Sequence, residues 1–307
     1  MVQNFADRLD LSIQQKKSCL VVGLDPVLEH LPREVLSEVG VPAVGEPGWT
    51  ARAASATGVF LRGVIDVVAE HAVAVKPNAG FFERFGAAGV DCLRQVSEHA
   101  VRQGLLVICD AKRGDIGHTA EAYADSILGD APDTLGPVTD AVTLNPYLGE
   151  DSVRPFLDKC SGGKGLFLLV RTSNPSGADI QELEVAGEPL YLKVARLVGR
   201  WGDGLRGEGG LNPVGVVVGA TAPEQAAAVR EELPEAFFLV PGYGAQGAGA
   251  EELAPFFIEG GRGVVVNSSR SILYAFDGRD EGDWRAAVGE AASRAREALE
   301  AVRSSRA

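Results

Sequence analysis

A chain of 307 residues with 46% hydrophobic content can bury a large core, and a single α/β barrel of this length is ordinary. The formal net charge of −13 excludes nucleic acid or an anionic membrane as the expected partner, because both are held mainly by neutralising phosphate, so any anionic substrate must be held by a local group of cations. Cys19, Cys92, Cys109 and Cys160 form no C-x-x-C pair, Asp7 and Asp10 interrupt the start of the chain where a leader needs an apolar stretch, and no run reaches roughly 18 apolar residues; the expectation is reduced thiols in a soluble, cytoplasmic protein.

Phe5, Leu9 and Ile13 predict a short helix ahead of the first strand, placed to close the bottom of a barrel. Apolar, β-branched runs then recur at Cys19 to Asp25, Ala72 to Pro77, Leu105 to Asp110, Ala141 to Asn145, Leu166 to Arg171, Val214 to Ala220, Phe237 to Gly242 and Gly263 to Ser268. Helical patterns separate them: Phe60, Val64, Val67 and Val68 share one face, as do Leu93, Val96 and Ala100. An Ala/Glu/Arg-rich helix is expected over about 281–305. Eight strands alternating with helices predict one closed parallel (β/α)8 barrel over 1–307, with an open doubly wound sheet as the competing topology. Two connections are long, from Val27 to Glu70 with the Pro/Gly-rich stretch 41–48, and from Thr172 to Pro213. Both follow strand C-termini, where barrel active sites lie, so either could cover a site.

Residues 110–116 read Asp110-Ala111-Lys112-Arg113-Gly114-Asp115-Ile116, directly after a buried strand. Side chains at i and i+2 share a face of a strand, so Asp110 and Lys112 project together, and Gly114 lets the chain turn and aim Asp115 back toward them. An ammonium between carboxylates stays protonated, so it can stabilise developing negative charge and then deliver a proton; the chemistry implied is that of a carbanion. The competing reading of this motif alone is a solvated salt-bridge loop. Polar groups at the other strand ends weigh against it: Asp25, Lys76, Asn145 and Arg171-Thr172-Ser173 all fall at the same mouth. Pro241-Gly242-Tyr243-Gly244-Ala245-Gln246-Gly247 after the seventh strand and Asn267-Ser268-Ser269-Arg270-Ser271-Ile272 after the eighth sit where (β/α)8 barrels commonly bind phosphate, with Arg270 able to grip it bidentately.

These residues resemble the orotidine 5′-monophosphate decarboxylase family. The likeness runs through Gly23-Leu24-Asp25-Pro26, Val75-Lys76-Pro77-Asn78, residues 110–116 on to Thr119, Ser173-Asn174-Pro175, residues 241–247 and Ser269-Arg270-Ser271, and the long connections with Phe5-Ala6-Asp7-Arg8-Leu9 match its larger bacterial subgroup. The resemblance implies a cofactor-free homodimeric barrel that converts orotidine 5′-monophosphate to UMP and CO2, the last step of de novo pyrimidine synthesis. It implies Lys112 as proton donor to C6, Asp110 beside the departing carboxylate, and Asp115 completing the charge network from the neighbouring subunit together with Ile116 and Thr119. Asp25 and Lys76 would hold the ribose hydroxyls, Ser173 the pyrimidine amide, and Gln246 and Arg270 the phosphate, with Ser269 also a substrate-binding residue. A magnesium-dependent sugar-phosphate decarboxylase or synthase of the same superfamily is the alternative enzyme, disfavoured because Lys76 stands where those relatives carry a metal-binding acid. A non-catalytic nucleotide-binding barrel would need the phosphate loops but not the Asp-Lys-Asp charges. His118 reads as a loop histidine without a legible partner, and His30, His71 and His99 carry no ligand spacing.

Overall fold

The computed structural model describes residues 3–244, 249–278 and 283–306. Among the described residues ten strands form: β1 Leu20–Leu24, β2 Ala74–Pro77, β3 Leu106–Arg113, β4 Ala141–Leu144, β5 Gly165–Arg171, β6 Glu184–Val185, β7 Glu188–Pro189, β8 Asn212–Val218, β9 Ala236–Val240 and β10 Val264–Ser268. All but the β6-β7 hairpin close into one parallel barrel in the order β1-β10-β9-β8-β5-β4-β3-β2, the (β/α)8 architecture that the strand–helix alternation predicts. The strand edges fall within two residues of the expected ones except at the end of β3, which continues past Asp110 to Arg113 through a register shift against β4.

Strand side chains sort by parity into two cores. Val21, Ala74, Ile108, Ala141, Phe167, Val217, Leu239 and Val265 fill the barrel interior, while Leu20, Val22, Val75, Val107, Leu166, Val216 and Val266 face outward and bury the apolar stripes of the surrounding helices. The helix Phe5–Lys16 closes the bottom. Asn4 caps it by accepting the Ala6 N–H at 2.8 Å, and Phe5 enters the barrel edge-on to Phe167 with centroids 6.1 Å apart. Gly165 makes that entry possible, because a Cβ there would lie 2.1 Å from the Phe5 ring. Arg8 pairs with Asp140 at 2.6 Å and Arg262 with Asp10 at 2.9 Å, tying the plug to the strand starts.

The connection after β1 is largely helical, Arg33–Val39 and Trp49–Val68. Its Pro/Gly-rich stretch lies on the surface, with Val44 78% exposed, and does not line the mouth cavity. The connection after β5 does: it runs through a turn, the short helix Ala178–Gln181 and the hairpin, where Ala186 and Gly187 both take positive φ, before the helix Leu190–Trp201. The last helix spans Trp284–Ser304, with residues 281 and 282 of its expected span outside the described residues. Among the described residues no helix is long and apolar enough to cross a membrane. All four cysteines are free and buried, and burial pushes each thiol up to about 12.

Candidate active site

Interior parity carries directly into the site. Ile108 lies in the barrel interior, so Asp110 and Lys112 follow it upward on the same face of β3. Asp110 is only 7% exposed and sits between two ammonium groups: Lys76 Nζ reaches Oδ2 at 2.6 Å and Lys112 Nζ reaches Oδ1 at 2.5 Å. The Thr143 hydroxyl donates to Oδ1 at 2.9 Å and itself accepts the Lys112 backbone N–H at 3.0 Å, so a single side chain of β4 fixes both members of the pair. Lys112 needs that support. Its φ of +47° lies in the left-handed region, which costs a non-glycine residue roughly 1–2 kcal/mol. The strained turn follows from the register shift in β3 and aims the lysine across the mouth.

Burial alone would push the Asp110 carboxyl up, but Lys76 and Lys112 together hold it well below the usual carboxylate range. Lys76 is fully enclosed. Burial would strip its proton, yet Asp110 first and Asp25 second hold its pKa above the ordinary lysine value. Asp110 and Lys76 are therefore both ionised around neutrality, with Lys76 sealed inside, while Lys112 is 47% exposed.

Above the apolar floor of Leu169, Val217 and Leu239, a cavity of about 410 Å³ opens among Lys76, Asp110, Lys112, Thr143, Ser173 and Pro241. Ser173 faces it from the start of the β5 connection. Its neighbour Thr172 has its hydroxyl engaged, accepting from Gln181 Nε2 at 2.8 Å and donating to Asn174 Oδ1 at 2.6 Å, while Gln181 Oε1 accepts the Thr172 N–H at 2.9 Å. On the other wall, Asp25 follows Val21 and Gly23 on the inward face of β1, and its Oδ1 is buried with no hydrogen-bond partner among the described residues. Ser269 packs into the notch left by Gly23, where a Cβ would lie 1.9 Å from the Ser269 hydroxyl, and accepts from Asn267 Nδ2 at 3.1 Å. Arg270 is exposed at the start of the turn Arg270–Leu273.

Four residues expected at the site, Asp115, Ile116, Thr119 and Asn145, stand apart from this group. Asp115 does not turn back on Lys112: its carboxylate accepts the Ile116 N–H at 2.8 Å and, among the described residues, makes no ion pair with Lys112. Ile116, just before the helix Gly117–Leu128, and Thr119, in its first turn, are both exposed. Gln246 lies outside the described residues. Asn145, expected at the mouth, caps the turn Pro146–Leu148 by accepting the Tyr147 N–H at 3.1 Å. His118 belongs to the helix rather than a loop and does have a partner, Glu121 at 3.0 Å one turn on. Sequence reasoning passed over Thr143, although its place two residues after the inward Ala141 was the available signal. A larger groove of 740 Å³ on the outer wall is lined by charges already paired, such as Arg196 with Glu188 and Glu232.

The family model for orotidine 5′-phosphate decarboxylase / HUMPS matches residues 56–283. The chain is 43% identical over 295 residues to the orotidine 5′-phosphate decarboxylase of Rhodopirellula baltica, covering 94% of this chain and 96% of that one. It is 39% identical over 305 residues to that of Caldicellulosiruptor bescii, covering 97% and 99%. Among solved structures, Leishmania donovani OMP decarboxylase superposes with a TM-score of 0.75 at 35% identity, over 98% of this chain and 99% of that one.

Proposed function

The chain belongs to the orotidine 5′-phosphate decarboxylase / HUMPS family, and we propose that it removes CO2 from orotidine 5′-monophosphate through Lys112, with Asp110 and Asp115 as its charged partners. The observation that carries this reading is the Lys112 ammonium held 2.5 Å from a buried, permanently ionised Asp110 beside a nucleotide-sized cavity. Loss of CO2 leaves the bonding electron pair on C6. A fixed cation stabilises that pair without reorganising, then supplies the proton that makes UMP, and the resulting amine regains a proton from water at its half-exposed position. Asp110, placed near the substrate carboxylate, favours its departure by charge repulsion. Asp25 and Lys76 hold the ribose hydroxyls, Ser173 the pyrimidine amide, and Ser269, Arg270 and Gln246 the phosphate; binding these remote groups can be spent on reaching the transition state.

The active unit is a homodimer in which Asp115, Ile116 and Thr119 serve the neighbouring subunit's site. Two features support this: the carboxylate stays clear of Lys112 within one chain, and the apolar side chains of Ile116 (55% exposed), Tyr147 (81% exposed) and Leu148 lie uncovered beside the mouth. Four buried free thiols support a cytoplasmic location. In buffer containing EDTA, the purified protein is expected to convert orotidine 5′-monophosphate to UMP at full rate; no fall in substrate absorbance under those conditions refutes the assignment.

A further inference from the structure

The two arms proposed to hold the nucleotide come from opposite ends of the chain. Asp25 follows β1, Ser269 and Arg270 follow β10, and the two strands are neighbours in the barrel, with Leu20 opposite Val266. Tyr274 joins their loops. Its backbone N–H donates to the Arg270 carbonyl at 3.1 Å, which places it one turn beyond the arginine. Its hydroxyl lies against the other arm, where it accepts the Val27 N–H at 2.7 Å and donates to the Asp25 carbonyl at 3.2 Å. Pro26 between them has no N–H, so one phenol satisfies polar backbone groups on both sides of the turn that carries the Asp25 side chain. The ring is itself fixed, parallel to Phe60 within 2° at 6.4 Å and 5.2 Å from His30.

Asp25 depends on this clasp more than a typical strand-end carboxylate would, because its buried Oδ1 has no hydrogen-bond partner among the described residues. We propose that Tyr274 is a positioning residue: its hydroxyl sets the distance between the carboxylate that takes the sugar hydroxyls and the arginine that takes the phosphate. This inference rests on the roles given above to Asp25 and Arg270. Tyr274→Phe keeps the aromatic stack and deletes only the clasp.

The test is a double-mutant cycle of Tyr274→Phe and Asp25→Asn, read as KM and kcat for orotidine 5′-monophosphate, with thermal midpoints confirming that each variant folds. Tyr274→Phe is expected to raise KM about tenfold with kcat within about twofold, and to add little in the Asp25→Asn background, because removal of a positioning interaction cannot be felt once the positioned group is gone. A role confined to packing would give the same KM penalty in both backgrounds, and that additivity overturns the proposal. An unchanged KM in Tyr274→Phe overturns it too while leaving the site assignment intact. A wild-type KM in Asp25→Asn alone instead removes the assignment of Asp25 and the inference with it.

Discussion

Lys112→Ala separates chemistry from stability more sharply than any other change at this site. An ammonium about 3 Å from a developing carbanion contributes about 332/(20 × 3), or roughly 5.5 kcal/mol, at an effective dielectric of about 20, and its loss lowers kcat by ~10⁴-fold before the missing proton donor is counted. The fold should barely notice. Lys112 is 47% exposed, so its ion pair is worth about 0–1 kcal/mol to stability, and Asp110 keeps Lys76 at 2.6 Å and the Thr143 hydroxyl at 2.9 Å. Alanine inherits the same left-handed φ, so no relief offsets the loss. The assay pairs UMP formation under saturating substrate with urea unfolding. The expected result is a fall in kcat of at least ~10⁴-fold with unfolding free energy changed by less than about 1 kcal/mol and nucleotide binding still measurable. Retention of a tenth of the activity refutes the role of the ammonium. Collapse of the fold refutes the distinction drawn between the sealed and the open lysine.

Lys76→Met should behave oppositely in stability, costing ~3–5 kcal/mol in urea unfolding because it removes the sealed partner of a buried carboxylate; a loss under about 1 kcal/mol contradicts its burial. The pH profile of stability follows from the same pair. Asp110 is held below its unfolded value, so its contribution is complete above about pH 3.9 and lost as pH falls through the folded pKa; Lys76 is held above its own, so its contribution is complete below about pH 10.4 and lost as pH rises through the folded pKa. Unfolding measured across pH 5–9 should therefore show no transition from this pair, and a neutral-range step abolished by Lys76→Met would contradict the assignment. Gly23→Ala places a Cβ 1.9 Å from the Ser269 hydroxyl and forces it off Asn267; the fold should survive while KM rises roughly tenfold or more, and an unchanged KM would show that Ser269 does not hold substrate. Mixing inactive Lys112→Ala and Asp115→Ala proteins after subunit exchange should restore about a quarter of wild-type activity, since half the dimers then carry one intact shared site; no recovery places Asp115 in its own subunit's site.

Much of the barrel was legible because strand period and interior packing obey the same parity. The inward series that starts at Val21, Ala74 and Ile108 leads to Asp25, Lys76 and Asp110 without interruption, so a strand-end reading found all three. What local pattern could not provide was anything set by neighbours. The extension of β3 to Arg113 depends on a register shift against β4, and Thr143 matters because its hydroxyl meets both the Asp110 carboxylate and the Lys112 N–H across that pairing. Asp115 was misdirected for the same reason: a glycine before it permits a turn toward Lys112, but the chain enters the helix Gly117–Leu128 and the carboxylate is used on its own backbone. The Tyr274 clasp spans nearly the whole chain, and no window along the sequence contains both of its ends.

The wall formed by the β5 connection is built on another principle than the charged rim opposite. Ser173 is presented by a segment whose shape is held by neutral amide and hydroxyl contacts from Gln181, on a short helix that ends at an exposed hairpin. Among the described residues the ion pairs of this connection begin at Glu182, with Arg171, and Glu188, with Lys193, so residues 173–181 can be exchanged without unbalancing an ion, whereas altering Lys76 or Asp110 leaves a buried charge stranded. With the pyrimidine contact proposed for Ser173, base preference can drift while the proposed proton-transfer apparatus stays frozen, and directed evolution toward altered nucleobases has its natural starting library in residues 173–181.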